Sequence, residues 1–332
     1  MADPEPEHPF APYVRTLGRG PGRSRALTRE EARAALTAVL RGEAAPEQVG
    51  AFLMLLRYRG EAADEISGLV EAARDAIGAG LPPGCPAVAL DWPSYGAGRT
   101  RGEPWFLLAA LSLAASGVTV LMHGSNEFSQ GTAVEAGLAA LGLPICRSRD
   151  EAAGELAARR FAYLPLTALS PPLNRLLTLR GLLGLRSPIN TVVRLLNPFD
   201  APSAVDGVFH PPYIEVHLGA AERLQRGRLA VVKGGGGEAE RNPAKPITVH
   251  LWDSAAGRSE MLMPVTATLG EAGTLAEEWR TGLGPGAATA RATIALALLA
   301  LGRAHDPGSA DLGAETIWAH RLRQAEAIEL AL

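Results

Sequence analysis

Short apolar runs alternate with helix-length segments from residue 88 to residue 330, and this alternation constrains the fold more than any other feature of the chain. Strands are expected at Val88-Ala89-Leu90, Val118 to Leu121, Phe161 to Leu164 and Leu229 to Val232. Helices are expected at Trp105 to Ala115, Thr132 to Leu141, Tyr213 to Gln225, Ala287 to Leu301 and Ala314 to Leu330. Ile247 to Trp252 and Met261 to Met263 flank a polar turn and predict a hairpin. Strands that alternate with helices build a mostly parallel sheet covered on both faces. Ligands of such sheets bind beyond the carboxyl ends of the strands. Three loops meet that description: Asp91 to Arg101, His123 to Gly131, and Lys233 to Asn242.

Ahead of the linker Leu81-Pro82-Pro83-Gly84 the pattern is purely helical. Thr28-Arg29-Glu30-Glu31 has the spacing of a capping box, and Leu36, Val39 and Leu40 continue that helix. Pro46 opens a second helix with Val49, Phe52, Leu53 and Leu56 on its apolar face. A third carries Ile66, Leu69, Val70, Ala73 and Ile77. Three such helices cannot bury their own faces, so they should pack on the main domain or on a second subunit. The expected division is a mobile tail over 1–25, a helical dimerisation domain over 26–80 and an α/β domain over 84–332.

Charge is distributed unevenly. The net charge is -3, which argues against a uniformly basic surface. Yet no Asp or Glu occurs from Arg159 through Phe199, a span that holds Arg159, Arg160, Arg175, Arg180, Arg186 and Arg194. A concentrated positive field attracts phosphates; the plainer reading is solvated arginines between apolar helices. Cys85 and Cys146 give neither a disulfide framework nor a zinc spacing. No basic-then-apolar leader and no run long enough to span a bilayer is seen, so a reducing cytoplasm is the default expectation.

Arg180, Gly184, Arg186, Asn190, Asn197 and Pro198 carry a resemblance. They fall without a gap on the Arg-x-x-Leu-Gly-x-Arg-x-x-x-Asn and Asn-Pro positions of the anthranilate phosphoribosyltransferase family. The resemblance implies a nucleoside phosphorylase/phosphoribosyltransferase-like fold, of the kind labelled glycosyltransferase family three. It also implies dimer contact through the N-terminal helices, joined by helices from about 165–185. The cleft positions His123, Gly124, Asn190, Gly234 and Glu240 match or stand at family positions. The chemistry-bearing positions depart. The glycine turn that wraps pyrophosphate is replaced by Trp92-Pro93-Ser94-Tyr95, and Pro93 has no amide to donate. Met122 replaces a lysine, and Ser125-Asn126 replaces an Asn-Arg pair. Ala239-Glu240 stands where the family's Asp-Glu pair binds magnesium.

Asp91 to Tyr95, Met122 to Gly124, Lys233 to Glu238, Glu240 to Pro243 and His250 to Trp252 together resemble a subfamily of anthranilate phosphoribosyltransferase-like proteins. That resemblance implies a homodimer that binds DNA or RNA without sequence preference and lacks the biosynthetic activity. The expected phosphate-binding residues are Arg175, Arg180, Arg186, Arg194 and Lys233, with Arg99, Arg101 and Arg241 at the rim. Trp92 and Tyr95 either pack in the core or stack bases. Gly234 to Gly237 form either an anion nest with Lys233 or a flexible turn. His123 alone is more often a hydrogen-bonded structural histidine than a catalyst. No catalytic residue, metal ligand or cofactor is assigned. The alternative is a phosphoribosyltransferase or nucleoside phosphorylase of altered specificity, and only that reading calls for magnesium.

Overall fold

The computed structural model describes residues 7–20, 22–96, 102–125, 127–128 and 131–322. Arg99 and Arg101 lie outside the described residues. The N-terminal unit consists of α1 (Ala11–Gly18), α2 (Arg29–Leu40), α3 (Pro46–Arg59) and α4 (Ala63–Ile77). Helix α1 corrects the expectation of a mobile tail over 1–25. Phe10 and Leu17 are buried, and the Phe10 ring meets Phe52 of α3 edge-on at 5.5 Å. The apolar pair needed its partner from α3 before it could order this segment. The capping box closes as the spacing predicts: Thr28 Oγ1 accepts from Glu31 N, and Glu31 Oε2 accepts from Thr28 N at 2.9 Å. Gly68 lets α4 lie directly against α2, because a Cβ there would collide with the Arg29 carbonyl. Ion pairs Arg29–Glu71 and Arg33–Asp75 line the same contact.

The sheet has seven strands in the order β3-β2-β1-β4-β5-β6-β7. They are β1 (Leu90–Ser94), β2 (Val120–Gly124), β3 (Phe161–Pro165), β4 (Ser203–Val208), β5 (Arg228–Lys233), β6 (Ile247–Asp253) and β7 (Gly257–Met263). The first five pair in parallel; β6 and β7 form the antiparallel hairpin. The helices are α5 (Trp105–Ala115), α6 (Val134–Ala140), α7 (Arg149–Arg159), α8 (Leu166–Leu169), α9 (Pro171–Thr178), α10 (Arg180–Leu183), α11 (Ile189–Val192), α12 (Pro212–Arg223), α13 (Leu275–Thr281), α14 (Pro285–Ala300) and α15 (Pro307–Ala319). This is the expected α/β class: a small helical unit on a larger domain with a mostly parallel sheet.

Alternate residues of each strand feed opposite cores. Leu121, Leu229 and Val231 join a core that also holds Phe52, Leu69 and Leu173. Val120, Met122, Ala230 and Val232 join the other, against Phe106, Ile294 and Trp318. The N-terminal helices and the short helices α8 to α11 therefore share one core with a face of the sheet. Arg74 of α4 reinforces that union by donating to the carbonyls of Leu196 and Asn197. Asn197 is itself in the left-handed region, at φ 42°, and its side chain exchanges two hydrogen bonds with Ala201. Among the described residues no single helix is long and apolar enough to cross a membrane.

Candidate functional site

From β1 the chain winds outward through β2 and β3, then crosses back to β4 and winds the other way through β5. The crevice beyond the carboxyl ends of β1 and β4 is therefore the topological switch point, where an α/β sheet of this kind binds its ligand. Here protein side chains fill it. Arg194, in the turn after α11, donates to the carbonyls of Asn190 and Tyr95, each at 2.7 Å, and reaches the Gly237 carbonyl at 3.5 Å. Tyr95 is buried, and its hydroxyl lies 2.8 Å from His123 Nδ1. His123 Nε2 in turn lies 3.3 Å from Asp91 Oδ1. Burial pushes the Tyr95 hydroxyl well above its usual range, which keeps it a neutral hydrogen-bonding group. Glu238 sits buried against Gly96, where a Cβ would collide with its carboxylate.

These positions correct the base-stacking alternative for Trp92 and Tyr95. Trp92 is fully buried on β1, in register with Met122, inside the core that faces α5 and α14. A ring with no exposed face cannot stack a base. Arg194 likewise spends its guanidinium on backbone carbonyls, so it braces the crevice. Arg241 is not at a rim. It is 0% exposed, donates to Asp311 and to the Pro264 carbonyl at 2.7 Å each, and fastens the third loop to α15. The end of the glycine run is folded on itself. Gly237 N donates to the Gly234 carbonyl and Glu238 N to the Gly235 carbonyl, so these amides face inward. Gly207 and Gly234 are required because the Glu238 backbone crosses directly over both. Glu240 holds the first turn of α5, its Oε2 accepting from Phe106 N at 3.0 Å, a favoured place for negative charge.

The remaining cations behave differently. Arg175 on α9 and Lys233 at the end of β5 are exposed. Arg180 on α10 is partly exposed and lies over the Phe128 ring at 4.8 Å. Arg186 is half-buried, 5.7 Å from the Phe209 ring. Arg186 and Asn190 line a cavity of about 50 Å³ together with Arg57, Ser187, Arg194, Phe209, His210 and His217. Among the described residues no carboxylate lines it. Burial, with Arg194, Arg180 and Arg57 nearby, holds the Arg186 guanidinium down to about 10. Lys233 is in register with Val208, beside the Phe209 turn, so it flanks the same region. Arg57, Phe209 and His210 carried no signal in the sequence. Arg57 reaches in from α3, and Phe209 follows β4, a strand whose Asp206 and Gly207 disguise it.

A helical bundle set against an α/β domain with this switch point defines the architecture of one transferase class, and the chain belongs to the glycosyl transferase family. The family's helical bundle domain matches residues 11–77 and its a/b domain residues 106–276. Among its relatives, an anthranilate phosphoribosyltransferase of Methylobacterium nodulans is 32% identical over 256 residues, 77% of this chain and 74% of that protein. The uncharacterized protein YbiB of Escherichia coli is 28% identical over 249 residues, 74% of this chain and 76% of that one. The crystal structure of anthranilate phosphoribosyltransferase from Thermus thermophilus superposes with a TM-score of 0.76 at 22% identity, covering 95% of each chain. The Saccharomyces cerevisiae enzyme in complex with PRPP and Mg gives 0.75 at 16% identity, covering 97% of each. At these identities the superpositions show the shared fold.

The residues at the metal positions implied by the resemblance do not fit magnesium. Ala239 has no side-chain oxygen, and Glu240 holds the amide of Phe106. Among the described residues no group of three or more His, Cys, Asp or Glu could hold an ion.

Proposed function

We propose that this member of the family binds nucleic acid through the phosphate backbone, without sequence preference, and has no anthranilate phosphoribosyltransferase activity. One observation carries the reading: the crevice where a family ligand would lie is packed with Tyr95, Arg194, His123 and Glu238, while mutually repelling guanidiniums stand beside it. Phosphoribosyl transfer depends on positioning and neutralising a leaving pyrophosphate. A filled crevice gives that group nowhere to sit. Arg180, Arg186 and Lys233, with Arg175 on the adjoining helix, instead offer positive charge near the surface. Such charge binds phosphates by releasing counterions and reads no base.

Several relatives named as anthranilate phosphoribosyltransferases, at 30–32% identity, favour a second reading: an enzyme of altered specificity. A pair of titrations separates the two. Labelled single-stranded DNA is expected to bind in low salt, and PRPP with magnesium is expected to give no turnover of anthranilate. Steady product formation by the pure protein would overturn the first reading.

A second copy of the chain is the proposed partner of the helical unit. A groove of about 530 Å³ between α1 and α2 sets Tyr13, Ala34 and Ala38 among the charged Glu30, Arg33 and Arg41, and Tyr58 of α3 is 90% exposed. A self-complementary two-fold contact is the commonest way to cover such a face. Light scattering at micromolar concentration should report twice the chain mass of 34.7 kDa; a folded monomer would refute the pairing.

A further inference from the structure

We infer that the cavity between α3, α11 and the turn after β4 is a seat for a terminal phosphoryl group, so that the protein binds the phosphorylated end of a strand. The inference deepens the nucleic-acid reading where it concerns a strand; the phosphoryl seat stands on its own observations.

Size comes first. A water needs about 10–15 Å³ of such a cavity. The volume of about 50 Å³ therefore admits a group of about four oxygens, the size of one phosphoryl group. A phosphodiester within a strand carries a sugar on each side and is too large to enter, whereas a strand end carries one sugar and leaves it outside.

Charge comes second. Arg57, Arg186 and Arg194 line the cavity with no carboxylate among them. Arg194 is committed to carbonyls, and Arg57 donates to the Tyr213 hydroxyl, which donates onward to Glu61. Among the described residues no acceptor meets the Arg186 guanidinium, and its nearest charged neighbours are other arginines. A half-buried guanidinium without a hydrogen-bond acceptor is costly, and the oxygens of a phosphoryl group supply the fork of acceptors that it fits. Asn190 Oδ1 is also buried without a hydrogen-bond partner among the described residues, and it would accept the proton of a singly protonated phosphoryl group.

The mouth completes the site. Phe209 is 44% exposed there, and the His210 ring meets it edge-on at 4.8 Å. With its phosphate against Arg186, a terminal nucleotide would bring its base within reach of the Phe209 ring, and such stacking tolerates any base.

The test compares one oligothymidylate bearing a 5′-phosphate, a 3′-phosphate or hydroxyls at both ends, with thymidine monophosphate and inorganic phosphate as competitors. One phosphorylated end is expected to bind at least about tenfold more tightly than the hydroxyl-ended strand, the scale of a charge-assisted hydrogen bond. Arg186→Gln should abolish that preference. Among the described residues it breaks no hydrogen bond, and a thermal melt checks its fold. Phe209→Ala should reduce the preference and weaken competition by thymidine monophosphate, while leaving inorganic phosphate unaffected. Equal affinity for the three strands overturns the seat and leaves backbone binding standing. Binding of thymidine monophosphate or inorganic phosphate that Arg186→Gln abolishes, with no strand bound at all, supports the seat and overturns the nucleic-acid reading. Phosphate binding unchanged in Arg186→Gln overturns the seat.

Discussion

Replacing Arg180 and Arg186 together by alanine is expected to weaken binding of single-stranded DNA by roughly tenfold to a hundredfold, to the same extent for unrelated sequences. Arg180 lies close enough to disfavour the charge of Arg186, so both belong to one field. Each phosphate neutralised on a single strand contributes roughly 0.7 to the slope of log affinity against log salt. The double variant should therefore lose about 1.4 from that slope. Fluorescence anisotropy over a salt series measures both quantities. Arg15→Ala is the control, because Arg15 is exposed and already pairs with Glu7 at 2.6 Å. Full affinity with an unchanged slope in the double variant would move the interface elsewhere and bring the altered-enzyme reading forward.

Arg241→Ala should do the reverse. Removing a fully buried guanidinium strands the Pro264 carbonyl, leaves Asp311 without its partner and opens a void between the third loop and α15. Losses of this kind cost about 3 kcal/mol or more. Thermal melting should shift down by roughly 5–10 °C. DNA affinity per folded molecule should not change, because the side chain never reaches solvent. A variant that melts normally but loses DNA would return Arg241 to the binding surface.

The contrast between these arginines marks what the sequence could and could not reveal. Charge pattern finds guanidiniums but not their direction. Arg186 and Arg194 stand eight positions apart in the same acid-free span, yet one opens on a cavity and the other disappears among carbonyls. Local signals were legible where the partner is also local. The Thr28 capping box and the branched strand Leu229 to Val232 needed nothing distant to be recognised. Helix α1 and strand β4 were not legible because their partners are remote. Phe10 is ordered by Phe52, and buried Asp206 is tolerated in β4 because His217 Nδ1 meets it at 2.7 Å. Helices α8, α10 and α11 are four-residue single turns, too short for a periodicity to emerge, and Pro171, Gly184 and Pro188 punctuate the stretch around the eight-residue α9. Arg57 and Phe209 meet only because the helical unit and the sheet share a core.

Arg194 also bears on how freely the crevice at the switch point could be remodelled. Three segments, ending in the carbonyls of Asn190, Tyr95 and Gly237, now depend on one guanidinium. Introducing a glycine turn at Trp92 to Tyr95 while Arg194 remains would leave the crevice occupied by the guanidinium. Removing Arg194 while Trp92 and Tyr95 remain would strand buried carbonyls, each costing about 1–3 kcal/mol. The changes favour the fold only when made together, so their effects are strongly non-additive. Opening a ligand seat at the switch point therefore requires several concerted substitutions, since each one alone gives a less stable fold.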